Sequence, residues 1–363
     1  VDHIQGYLDL GQVDNAELAV TKFSRVEMGV GSGVDLFVDM EAMRSTYAGG
    51  LREPLVIYPG DLGKFFGDYL ARDSFITFWS PEKGGKSFFL LDMAYRAMCQ
   101  RRKVAYFQAG DLSEHQIKDR FLVRAARCPS RSTREDRQWP CQVRWPTSII
   151  SPNNEDEIAW VEQDAKTFTE PINSQEKWDE KIAKIIKKET NSDQSYFRLS
   201  CHPTKSISVL GIQSILQSWE LHGFIPDVLI IDYADILYPV NKKEEKREQV
   251  KTTWEYLRQL SQKLHCLLVS ASQVNAQSYM KRTLDRSNFS ENHLKLAEVT
   301  GAIGINVVSE EKERGICRLN WIVRREGDYS SRKCIHVAQC LALSHPTVKS
   351  VFSVSRSREG RNE

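Results

Sequence analysis

This 363-residue chain lacks any close cysteine pair. Its eight cysteines are scattered: Cys99, Cys128, Cys141, Cys201, Cys266, Cys317, Cys334 and Cys340, none of them in a CxxC spacing. Cys266, Cys317 and Cys334 fall in or beside apolar runs, where a free thiol behaves as a small hydrophobe. Cys128, Cys141, Cys201 and His202 fit no standard zinc spacing, so ordinary thiols are expected there. This usage points to a reducing, cytoplasmic setting rather than a disulfide framework. No apolar run reaches ~18 residues, which excludes a helical membrane span and makes a membrane partner unexpected. No signal-peptide pattern stands at the start. A strong charge of one sign is also missing: 50 Lys and Arg face 48 Asp and Glu, a formal net charge of +2. A nucleic-acid partner must therefore be argued from local charge.

What the sequence does contain is a series of short apolar runs separated by helical patterns. Buried strands are expected at 75–79, 104–107, 228–231 and 266–270, with later ones at 319–323 and 335–337. Helices are expected at 62–71, 87–101, 112–127, within 175–189, and from 241–248 to about residue 264. Apolar strands alternating with helices indicate an α/β fold, with a mostly parallel central sheet covered on both faces. Residues 1–60 read as a short extension with a loop at 29–35. Residues 61–345 form the core, interrupted by a polar, Trp-bearing insertion at about 128–200, and 346–363 read as a flexible tail.

Ligands of such sheets bind at the carboxyl ends of strands. After the first strand comes Ser80-Pro81-Glu82-Lys83-Gly84-Gly85-Lys86-Ser87. The phosphate-loop pattern is GxxxxGK(S/T). Its last three positions are intact, Gly84 adds a second flexible residue, and Ser80 replaces the first glycine. In this reading Ser80, Lys83, Gly84, Gly85, Lys86 and Ser87 cradle a nucleotide. Backbone N–H groups and the helix N-terminus face the phosphates of ATP. Lys86 reaches the β- and γ-phosphates, and the Ser87 hydroxyl holds Mg²⁺. Asp232, ending the strand 228–231, is placed to hold the metal's water shell. Gln273, in Ser272-Gln273-Val274-Asn275, is placed to sense the γ-phosphate.

The order SPEKGGKS, YFQAGDLSEHQIKDRF, LIIDYADIL, SASQVNA resembles the RecA-like ATPase domain of DnaB-type replicative hexameric helicases, over roughly residues 60–340. The Asp232-Tyr233 and Ser272-to-Asn275 matches are the most specific. The segment LAEVTGAIGINVV, 296–308, also resembles the stretch after that family's DNA-binding loop. The resemblance implies a RecA-like P-loop NTPase. Matching Gln116, Ile117 and Arg120 puts Asp111 where the family has its catalytic glutamate, with Glu114 as a fallback. Asp111 also suits a helix N-cap. The family's Lys-x-Arg-x-Gly finger corresponds to Val323-Arg324-Arg325-Glu326-Gly327. Arg325 would then complete the site of a neighbouring subunit, which implies a homo-oligomer, a hexamer by analogy.

Residues 277–295 carry Lys281, Arg282, Arg286 and Lys295 against Asp285 and Glu291. In the resembled helicases this loop tracks single-stranded DNA, so Lys281, Arg282 and Arg286 are the implied nucleic-acid contacts. About 70 residues precede the first strand, too few for the helical domain that bacterial helicases of this type carry. That suggests a minimal phage- or plasmid-like form with replication or mobile-element partners. Two other readings stay open. One is a recombination- or signalling-type RecA-like ATPase used as an assembly switch. The other is a non-catalytic nucleotide-binding scaffold, suggested by Ser80, Asp111 and Val323.

Overall fold

A computed structural model describes residues 53–110, 112–131, 138–152, 157–174, 178–191, 194–274, 283–285, 293–330 and 333–353. All described elements belong to one compact unit, Arg52–Glu363. The main sheet is built from β1 (Phe75–Ser80), β2 (Val104–Gln108), β5 (Phe197–Cys201), β6 (Val228–Asp232), β7 (Leu267–Gln273), β8 (Gly301–Asn306), β9 (Ile316–Arg324), β10 (Cys334–Cys340) and β11 (His345–Phe352). Their order is β11-β10-β9-β8-β1-β7-β6-β2-β5. The six strands from β8 to β5 run parallel, and β9, β10 and β11 continue the sheet antiparallel.

The parallel strands are apolar on both sides because both sheet faces are covered. Successive side chains of a strand point to opposite faces. Ile76 and Phe78 of β1 enter one core layer with Leu90, Tyr106, Ile230 and Val269. Phe75 and Trp79 enter the other with Phe107, Ile231, Leu268 and Trp254. Helix α2 (Lys86–Cys99) buries Phe89, Leu90, Met93 and Ala94 in the first layer. Helices α5 (Val209–Leu221) and α6 (Lys246–Lys263) fill the second, with Ile212, Leu216, Trp254 and Leu257.

Several sequence expectations need correction. The first helix is α1 (Gly60–Phe66), not 62–71, and it stops at Gly67, whose φ of 55° breaks the helix. The region 128–200 is not wholly an insertion. It holds an antiparallel hairpin, β3 (Cys141–Ile150) and β4 (Trp160–Phe168), and α4 (Trp178–Thr190). Its last segment is β5, an edge strand of the main sheet paired with β2. Every residue of β5 is half-buried, so no continuous apolar run marks it. Residues 346–352 are likewise no flexible tail, because they form most of β11.

A buried ionic cluster holds β11 in place. Asp92 of α2 is fully buried and pairs with Arg96 at 3.1 Å and with Arg124 at 2.9 Å. Arg124 comes from α3 (Glu114–Ala126). Thr347 of β11 donates to Asp92 Oδ2 at 2.7 Å. Burial alone would raise the Asp92 pKa, but Arg124 and Arg96 hold it well below the usual carboxylate range. Removing one partner of such a cluster strands buried charge. Asp92→Asn is therefore expected to destabilise the fold by about 3–5 kcal/mol, read from the denaturant midpoint.

His345 supplies a pH dependence. Burial, then Arg124, pushes its pKa from 6.5 down to about 3. A depressed histidine contributes stability that is complete above the unfolded value and is lost as pH falls from there toward the folded one. Thermal melts should therefore fall between pH 7 and pH 4, and His345→Gln should flatten part of that slope.

Candidate functional site

The carboxyl ends of β1, β2, β6 and β7 open onto one cleft of about 840 Å³. Its walls include Ser80 to Phe88, Gln108, Arg120, Asp232, Tyr233 and Gln273. The volume lies in the range of small-molecule sites.

The loop between β1 and α2 explains its own departure from pattern. Ser80 is fully buried, and its hydroxyl donates to the Pro81 carbonyl at 3.0 Å. A Cβ on residue 84 would lie 1.6 Å from Ser80 Oγ. With the Ser80 hydroxyl in this rotamer there is no room for a side chain at 84. Gly85 caps α2 at φ 91°, a left-handed conformation that suits glycine. Among the described residues, no backbone carbonyl takes the N–H groups of Gly85, Lys86 or Ser87. These donors, at the positive end of α2, suit an anion. Lys86 Nζ donates to the carbonyls of Ser80 at 3.1 Å and Pro81 at 2.9 Å. Burial lowers its pKa, and Asp232 pulls the other way.

Ser87 and Asp232 meet beneath this loop. Ser87 Oγ donates to Asp232 Oδ1 at 3.1 Å, and the Tyr106 hydroxyl donates to Oδ2 at 3.2 Å. Asp232 is 1% exposed. Burial raises its pKa, while the two donors, Arg120 and Lys86 pull it back. A hydroxyl and a carboxylate oxygen side by side form a hard-oxygen pair that fits Mg²⁺. Ser87 and Asp232 would be the residues to hold that ion, which when bound neutralises charge on the phosphates.

Gln273 ends β7 with its Cα beside that of Ser80, and its side chain reaches the cleft. Arg120 is an addition. In the sequence it serves only as part of the Gln116-Ile117-Arg120 match. Here its guanidinium stacks on the Phe88 ring at 4.5 Å and lines the cleft. Burial lowers its pKa, and Asp232 counteracts this. Among the described residues no hydrogen bond or ion pair holds it. Its spacing on α3 was the available signal: Gln116 and Arg120 are one turn apart, which aims both along one helix face.

Other expected residues fall elsewhere. Asp111 lies outside the described residues, as do Lys281, Arg282 and Arg286. The N-cap of α3 is Ser113, in a capping box with Gln116, so Asp111 does not fill that role. The fallback Glu114 turns to solvent and pairs with Lys118. Lys295 is no loop cation. It is buried in α7 (His293–Glu298) and pairs with Asp235 at 2.7 Å. Arg325 follows β9 at the end of the sheet where β1 begins, since Arg324 pairs with Gly301 and Gly301 with Ile76. Exposed, it donates to the Ala297 carbonyl at 2.7 Å, and the chain's own phosphate loop is at the other end of β1.

No family model matches the sequence, and no curated protein matches it. Solved structures do match. The structure of an ATPase domain aligns with a TM-score of 0.59 at 13% identity, covering 86% of this chain and 96% of that one. A DnaB-like replicative helicase, solved in a study of its interactions with primase, aligns with a TM-score of 0.64 at 13% identity. That match covers 97% of this chain and 73% of the helicase chain. The fold is RecA-like, and it resembles that of DnaB-type helicases. At this identity the likeness speaks for fold, and the side chains above must speak for chemistry.

The Ser80–Gly84 contact yields a test. Gly84→Ala should weaken ATP binding at least about tenfold, ~1.4 kcal/mol. Adding Ser80→Gly removes the clashing hydroxyl and should restore most of it. Titration with a fluorescent ATP analogue reads both variants.

Proposed function

We propose that this chain hydrolyses ATP in the cleft between β1, β2, β6 and β7, and that turnover drives movement along single-stranded DNA. The observation that carries the reading is the Ser87–Asp232 pair under the phosphate loop, at 3.1 Å. It joins the two acidic and hydroxyl positions that a nucleotide-bound divalent cation requires. Lys86 would exchange its two loop carbonyls for phosphate oxygens. Arg120 and Gln273 would face the terminal phosphate from opposite walls. These groups act by positioning and by neutralising charge, the main demands of phosphoryl transfer.

The placement of Arg325 supports an assembly. A cation at the far end of the sheet cannot serve its own cleft, but it can serve a neighbour's in a head-to-tail ring. Single-stranded DNA as the track and a hexamer as the ring are what the sequence resemblance to DnaB-type helicases implies, and the fold, similar to that of a DnaB-like replicative helicase, agrees with that family. Lys281, Arg282 and Arg286 are the proposed backbone contacts, which need cations and no base-specific geometry.

Three measurements test this. ATP turnover should rise several-fold on adding single-stranded DNA. Lys86→Ala should abolish turnover; undiminished hydrolysis in that variant would sink the whole reading. Arg325→Ala and Lys86→Ala, each inactive alone, should regain part of the activity when mixed, because some interfaces then pair an intact loop with an intact finger. Mixtures that stay inactive argue against the finger.

A further inference from the structure

We propose that Gln108 is a catalytic residue that orients the water attacking the γ-phosphate. The inference rests on the cleft being an ATPase site. Gln108 ends β2, and its Cα is paired with that of Asp232 across the parallel ladder. Two residues earlier on the same strand face, Tyr106 donates to Asp232 Oδ2 at 3.2 Å. The Gln108 side chain therefore leaves the sheet on the Asp232 side and lines the cleft.

The backbone there is fixed. Gln108 O accepts from His202 N at 2.7 Å, and Ala109 N donates to Asp232 O at 2.9 Å. The next turn is equally confined: a Cβ on Gly110 would lie 2.5 Å from Ile236 Cδ1 and 3.5 Å from Gln108 Nε2. Yet the amide oxygen has no partner among the described residues. Gln108 is 2% exposed, and its Oε1 is buried without a hydrogen bond. A buried polar atom left unpaired is destabilising, and native folds rarely keep one. An apolar side chain would fill the same space at less cost, so packing does not account for an amide here.

A bound reactant does account for it. A primary amide accepts with its oxygen and donates with its nitrogen. It can take a hydrogen bond from a water and give one to a phosphate oxygen, holding the two in line. Glutamine performs this service in other phosphoryl-transfer sites. Here the water oxygen would bond to the γ-phosphorus as the bond to the β–γ bridging oxygen breaks. ADP leaves with that electron pair; one water proton stays on the released phosphate and the other passes through a γ-phosphate oxygen to solvent. Gln108 orients and takes no proton. Gln273 sits on the other side of Asp232, at the end of β7, so the two glutamines flank the metal-holding strand.

Gln108→Met keeps the length of the side chain and removes the unpaired amide. It should lower kcat about 100-fold, the scale set by a misplaced reactant. KM for ATP and binding of a non-hydrolysable analogue should change less than about threefold, and the melting temperature should hold or rise. Gln108→Glu, which keeps the acceptor oxygen, should retain more turnover than Gln108→Met. A turning-over wild type with Gln108→Met within threefold of it overturns this assignment alone. A drop in kcat matched by a drop in melting temperature also overturns it, since that is what a packing role predicts. A wild type that binds ATP but never hydrolyses it, with or without DNA, overturns the ATPase reading and this assignment with it.

Discussion

The site depends on satisfying one buried carboxylate. Asp232 ends β6 between β7 and β2, with almost no exposure to solvent. An ionised acid there must be paired or hydrogen-bonded. The neighbours provide this: Ser87 from the helix after the phosphate loop and Tyr106 from β2, with Lys86 and Arg120 adding positive charge. The two hydroxyl donors come from different elements. Satisfying Asp232 therefore fixes the loop, the helix and the strand relative to one another. One of these donors, the Ser87 hydroxyl, is also the group that would hold a divalent cation beside the acid. Building the fold and preparing the site use one set of contacts.

A second acid extends this order outward. Asp235 lies in the turn after Asp232 and accepts from Ser272 Oγ at 2.7 Å and Gln273 N at 3.2 Å. Its other oxygen accepts from Lys295, whose ammonium sits 5.7 Å from the Trp79 and Trp254 rings. Gln273 precedes and Lys295 follows the basic segment that carries Lys281, Arg282 and Arg286. One carboxylate thus holds both ends of that segment. Its middle is held as well: Leu284 N donates to Asn306, and Leu284 O accepts from Asn320, each at 2.8 Å. Leu284 also lines the cleft.

The parallel centre of the fold was legible in the sequence because its strands are continuous apolar runs, and a loop with Gly-Lys-Ser at a strand end has few competing explanations. Asp232 directly follows such a run and Gln273 lies three residues past another, and the fold puts both at the cleft. What escaped was held together by pairs far apart in the chain. β5 and β11 are only partly apolar and are defined by their neighbours, β11 through Thr347 and a buried Asp92 some 255 positions away. α5 carried an ordinary signal, Ser208 before Val209, Ile212 and Leu216, inside a stretch overshadowed by its polar surroundings. Lys295 was misread because a cation in a basic stretch looks solvated until its acid is known. Gln108 carried no signal at all: an amide at a strand end is common, and only its unpaired oxygen in the folded chain singles it out.

The departures from the phosphate-loop and finger patterns bear on whether the cleft is an inert scaffold. The Ser80 hydroxyl fills the space that a side chain at 84 would need, and Gly84 leaves it free. Val323, where a basic residue would complete the finger pair, is buried in the apolar layer beside Ile322 and Ala302. Burying an ammonium in that apolar layer would be costly. Arg325 remains exposed and two residues further on, free of that constraint. Both departures thus have a local physical account. Nucleotide binding alone would keep Lys86, Ser87 and Asp232 on one cleft, so what speaks against an inert scaffold is Gln108. Its buried amide oxygen has no partner among the described residues, where an apolar residue of like shape would cost little or nothing.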